Sequence, residues 1–146
     1  MISKTLALLF AGVLSAGVVS ADVPESSVPA TVRDALKAAY AGVSHVEWDY
    51  KQAVNVYEAD FDVNGRDVEV KLSPAGQIIQ VKEDITIASL PEVVAAAALK
   101  QLPQGRITDA EKRTVGNVVT YKVEVEQGEK DVDVVLSADG KVLKVK

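Results

Sequence analysis

The 146-residue chain contains no cysteine and a single histidine. The first absence excludes disulfides, so the fold must draw its stability from an apolar core. It also excludes a thiol nucleophile and a lipid-modified export signal. One histidine cannot supply the ligands of a zinc site. That residue, His45, falls at an exposed strand position, and no Gly-x-Ser-x-Gly elbow exists to complete a serine triad with it. The nine glycines are spread over the N-terminal stretch and the turns, so no glycine loop cradles a phosphate. Positive charge is in deficit: 16 Lys and Arg stand against 21 Asp and Glu, a formal net charge of −5. That balance argues against a nucleic-acid partner and against docking on an anionic membrane. These absences point away from an enzyme and from any cofactor.

What is present begins with a leader pattern. Lys4 gives a charged start, Leu6–Val19 an apolar run, and Val19-Ser20-Ala21 a small-residue cleavage site. The run of 14 residues is short of the roughly 20 that span a bilayer. Residues 1–21 therefore read as a signal peptide cut after Ala21, which implies a periplasmic or secreted protein with no stable membrane insertion. The remaining 125 residues, Asp22–Lys146, carry a net charge of −6 once Lys4 is removed.

The mature chain is a duplication. Residues 66–79, RDVEVKLSPAGQII, match residues 130–143, KDVDVVLSADGKVL, at a constant offset of 64. The same offset pairs Tyr57 with Tyr121 and Phe61 with Val125. Upstream, Val28-Pro29 matches Leu90-Pro91 at an offset of 62. A longer hairpin turn in the second copy, Thr114–Asn117 against Gln52-Ala53, accounts for the difference.

Each copy opens with a helix. Ser27 is the expected N-cap of the first, with Val32, Ala35, Leu36 and Ala39 forming its apolar stripe. In the second, Ser89–Glu92 reads as a capping box, and Val93, Val94, Ala97, Ala98 and Leu102 form the stripe. Four strands follow with period-2 alternation. Val46, Trp48, Tyr50, Tyr57, Ala59, Phe61, Val68, Val70 and Leu72 share the face beneath the first helix. Glu58, Asp60, Asp62, Asp67, Glu69 and Lys71 share the other. Asn64-Gly65 is a strong hairpin signal. The second copy repeats the pattern, with Tyr121, Val123, Val125, Val134 and Leu136 inward and Lys122, Glu124 and Asp133 outward. The expected fold class is α+β: two tandem helix-plus-four-stranded antiparallel repeats, 28–82 and 89–146, preceded by a tail, 22–27. The short linker 83–88 would let the sheets join into one curved sheet with both helices on one side.

In this order and twice over, these motifs resemble the PepSY-like proteins. The resemblance rests on Val28-Pro29, on residues 46–48 and 56–61, on Asn64-Gly65, and on residues 68–70 and 75–79. PepSY-like proteins are small bacterial periplasmic proteins also described as β-lactamase-inhibitor-protein-like. The resemblance covers Val28 to Lys146. The second copy departs from it at Ala110, which stands where Trp48 aligns, and at Val125, which stands for Phe61. The resemblance implies a non-catalytic role in the cell envelope, binding a protein or peptide, with an inhibitor of a secreted hydrolase as its sharpest form. It transfers no catalytic residue.

The open sheet face is where such a partner would be met. The candidate contacts are Glu58, Asp60, Asp62, Asp67 and Glu69, together with Trp48 and Tyr50 if their strand turns outward. The alternative is a small-ligand or metal-ion binding envelope protein, with a pocket between helix and sheet or at the seam between the halves, and the crowded carboxylates point to calcium as the ion. Against it, the chain lacks the Asp-x-Asp-x-Asp-Gly loop, and Lys71 and Arg66 offset the charge, so no metal ligands are assigned.

Overall fold

The computed structural model describes residues 20–146. The leader reading therefore lies outside the described residues, apart from Ser20 and Ala21. The elements run β1 (Ser20–Asp22), a 3-10 turn (Glu25–Ser27), α1 (Ala30–Ala39), β2 (Glu47–Lys51), β3 (Val56–Val63), β4 (Arg66–Leu72) and β5 (Ile78–Asp84). They continue with a second 3-10 turn (Ile87–Ser89), α2 (Glu92–Leu99), β6 (Arg106–Val115), β7 (Val118–Gln127), β8 (Lys130–Ser137) and β9 (Val142–Val145). The nine strands form a sheet in sequence order. The fold is α+β, as the repeat and its periodicities predict.

The chain divides into two compact units. One holds the chain up to Phe61 together with Lys71–Ile78, and the other holds Asp62–Val70 together with Ile79–Lys146. In the first, α1 buries Val32 and Leu36, one turn apart, with Val28 just ahead of the helix continuing the stripe. Trp48, Ala59, Phe61 and Leu72 are the buried apolar sheet residues of this unit. Tyr40, at the end of α1, packs edge-on against Phe61 with ring centroids 5.0 Å apart. In the second unit Leu90, Val94 and Ala98 repeat the helical spacing, and Ala110, Tyr121, Val123, Val125, Val134 and Leu136 complete one core. Val93, expected in that stripe, is 50% exposed. The neighbouring Val94 takes the inward position, because the stripe follows the i, i+4 spacing from Leu90.

The helices are not capped by serine. Pro29 and Pro91 hold the cap positions with no side-chain cap bond, while Ser27 and Ser89 end the 3-10 turns that lead in. Proline fixes φ near the extended value a cap residue needs, so the preceding serine lies too early to reach the first free amides. The start of the tail is paired to the sheet. Asp22 lies in β1 opposite Asp49, and the Val23 amide donates to the Trp48 carbonyl at 2.8 Å.

Hairpin lengths reverse the sequence expectation. In the first copy the ladder ends at Lys51↔Val56, leaving Gln52–Asn55 as a loose connection. In the second it continues past Arg113↔Thr120 through Thr114↔Val119 and Val115↔Val118, leaving a tight turn of Gly116 and Asn117. The two extra residues lengthen the strands, because Gly116 takes φ of +59° at the position where a two-residue hairpin needs it. Asn64-Gly65 turns β3 into β4 as predicted, with both residues at positive φ.

Candidate functional site

On the face of the first unit opposite α1, the alternation of β2 and β3 brings charged side chains together. Asp49 sits opposite Glu58, and Glu47 opposite Asp60. Glu58, in mid-sheet, is the one buried charged residue among those described, at 7% exposure. Its two carboxylate oxygens are divided between two lysines, Lys51 Nζ at 3.1 Å and Lys71 Nζ at 3.6 Å. Lys51 also reaches Asp49 at 3.4 Å. Burial alone would lower the Lys51 ammonium. The hydrogen bond and charge of Glu58, with Asp49 added, outweigh it and hold the group above the ordinary lysine range. The paired state is therefore complete below the usual lysine pKa and is lost only as pH rises through the elevated value. The hydrogen bond and charge of Asp49 raise the Asp22 carboxyl.

The sequence candidates separate on this geometry. Glu58 does not project toward a partner; it is the centre of an ion-pair network. Trp48 is buried in the core, because its strand keeps the register that places it opposite Ala59. Tyr50 is half-buried, stacks on Tyr57 with centroids 4.8 Å apart and donates its hydroxyl to Asn55 Oδ1 at 2.7 Å. Asp60 is half-buried, and an oxygen of its carboxylate lies within 4.8 Å of those of Asp49 and Glu58. Asp62 accepts from the Gly65 amide at 2.8 Å and so shapes the hairpin. In the second unit Asp67 is exposed, and Glu69 accepts from Lys82 Nζ at 3.0 Å. There, too, Lys122 lies 3.8 Å from Asp133, and Thr108 Oγ1 donates to Glu124 at 2.8 Å. His45 precedes β2 in a left-handed conformation, exposed, with Nδ1 3.1 Å from Ser44 Oγ. It is not the strand residue that alternation suggests.

Asp49 and Lys51 are the members of the network that sequence reasoning missed. The available signal was their period-2 spacing with Glu47, which puts all three on the charged face. What hid them was the register across to Glu58. Replacing Glu58 with glutamine keeps the shape but removes the buried carboxylate charge that Lys51 and Lys71 share. The expected loss is about 1–3 kcal/mol of stability at pH 7, read by thermal or urea unfolding.

Comparison with known proteins places this scaffold. The family described as "Putative beta-lactamase-inhibitor-like, PepSY-like" matches twice, over residues 18–80 and 79–144. The chain belongs to this family. Its two copies are thus two PepSY-like units in tandem. Among solved structures, a BLIP-like protein from Bacteroides fragilis is 27% identical, with a TM-score of 0.66 over 85% of this chain and 86% of that one. A DUF2874 family protein from Bacteroides uniformis is 23% identical, with a TM-score of 0.68 over 81% and 88%. A protein from Bacteroides eggerthii described as periplasmic is 21% identical, with a TM-score of 0.69 over 82% and 88%. The last two show the fold alone. No curated protein matches the sequence. Among the described residues, no helix is long and apolar enough to cross a membrane.

Proposed function

We propose that this PepSY-like chain is an exported, non-catalytic binding protein that engages a protein or peptide in the cell envelope through the charged face opposite α1. Inhibition of a secreted hydrolase is the sharpest form of that role. The observation that carries the reading is the Glu58 network. Lys51 and Lys71 hold the buried carboxylate from two strands, so the half-buried Asp49 and Asp60 beside it sit on a fixed platform. A preordered charged surface loses little side-chain entropy on association and selects partners by charge complementarity. The family match and the leader pattern support the location and the absence of catalysis. Mature protein used as bait on periplasmic extract should retain a partner that Asp60→Lys loses, with recovery falling at least about tenfold, as reversal of a contact charge at an interface implies. Glu124→Lys, on the second unit, serves as the comparison. Unchanged recovery with Asp60→Lys would rule out the face of the first unit.

A second reading, small-ligand or calcium binding, draws on the approach of Asp49, Glu58 and Asp60 within 4.8 Å. Both oxygens of Glu58 already face lysines, which oppose a cation at that point. Calcium at about 5 mM, above the weakest affinities of extracellular sites, is therefore expected to leave the melting temperature unchanged. A saturable rise would favour the ion-binding reading, because a ligand specific to the folded state stabilises it.

A further inference from the structure

On the other side of the same unit lies a cavity of about 60 Å³ under α1. Its walls include Leu36, Val46 and the Trp48 indole, and its charged lining is Arg33, Lys37 and Glu25. Arg33 and Lys37 lie one turn apart on α1, on the same side of the helix. Neither makes an ion pair among the described residues; Arg33 commits its Nε to the Val28 carbonyl at 3.1 Å. Two unpaired cations side by side repel each other, and the chain as a whole carries a net charge of −5. Glu25 offsets one of them, which leaves one positive charge over. The apolar wall is aromatic at one point, because Trp48, 5% exposed, lines the cavity.

We infer that this cavity is a binding site for a small monocarboxylate with a short apolar tail. Such a ligand supplies what the site lacks: one negative charge for the Arg33–Lys37 pair, acceptor oxygens for the guanidinium, and carbon to lie on Leu36, Val46 and Trp48. The volume holds a handful of water-sized groups, which suits a carboxylate carrying a few carbons and excludes a nucleotide or larger cofactor. A free short-chain acid and the C-terminus of a peptide ending in a small apolar residue share this chemistry. The site lies on the helix side of the sheet, so it stands or falls independently of the charged face.

Trp48 is the only tryptophan in the chain and reports directly on the cavity. Mature protein is titrated with sodium butyrate, with an acetylated Gly-Val dipeptide bearing a free C-terminus, and with its C-terminal amide. A saturable change in tryptophan emission is expected with at least one of the two acids and none with the amide. Saturation by butyrate assigns the site to free acids; saturation by the peptide acid alone assigns it to peptide C-termini. The double variant Arg33→Gln/Lys37→Gln should bind about tenfold more weakly, the scale of a lost charge-assisted hydrogen bond. Its melting temperature checks that the fold is intact. The inference is overturned if neither acid saturates, if the amide binds as tightly as the acid, or if the double variant binds like the native chain.

Discussion

Leu136→Ala is expected to remove about 3–5 kcal/mol of stability, the cost of a cavity left by a fully enclosed leucine. Leu136 has no exposed surface and sits in the one core formed by α2 with β6, β7 and β8. With no cysteine in the chain, no cross-link limits the damage. For a chain of this size the loss corresponds to a fall of roughly 10–15 °C in melting temperature. Leu72, its counterpart at an offset of 64, is equally enclosed, so Leu72→Ala should cost a similar amount. Urea unfolding of both variants checks the expectation. A loss below about 1 kcal/mol in either would mean that the site collapses around the smaller side chain and that the repeat does not impose equivalent packing.

Gly76→Ala and Gly140→Ala should be nearly as damaging, for a different reason. Both glycines lie in the turn before the last strand of a copy, at φ of +85° and +88°. The turn is the same in each, with Ser73 and Ser137 bonding across to Gln77 and Lys141. A Cβ on Gly76 would lie 2.7 Å from the Thr31 carbonyl oxygen of α1. One on Gly140 would meet the Val93 side chain and lie 2.9 Å from the Val93 carbonyl oxygen of α2. The helix backbone cannot move aside without disturbing its buried stripe. Left-handed strain adds about 1–2 kcal/mol to the overlap, for a total of about 2–4 kcal/mol. Gly65→Ala is the control. Its φ is +79°, but a Cβ there meets nothing within 4 Å, so it should lose only the conformational part. Equal losses at all three positions would refute the close helix approach. The sequence shows these glycines at equivalent places in each copy, and the structure supplies the helix carbonyl that makes two of them irreplaceable by alanine.

Much of the architecture was legible because it is written in local terms. Period-2 alternation in residues 56–63 and 118–127 assigns each side chain to a face without knowledge of its neighbours. Asn64-Gly65 tolerates positive φ and so forms a turn on its own account. The constant offset of 64 shows that whatever one copy does, the other can do. The serine caps failed on a local point of order: Pro29 and Pro91 take the cap positions and push Ser27 and Ser89 back into 3-10 turns.

By itself, then, the sequence determined the duplication, the α+β class, the faces of the strands and the family resemblance, since each follows from periodicity, turn chemistry or motif order. Tertiary structure alone decided which charges meet. Glu58, read as an exposed contact, is buried because Lys51 on β2 and Lys71 on β4 close over it, and that depends on cross-strand register. Register in turn depends on hairpin length, which differs between the copies in the direction opposite to the one their sequences suggest. The same holds for the cavity beside Trp48. Arg33 and Lys37 are ordinary helix residues in the sequence, and they become a positive wall over an apolar cavity only when α1 is laid beside Val46 and Trp48.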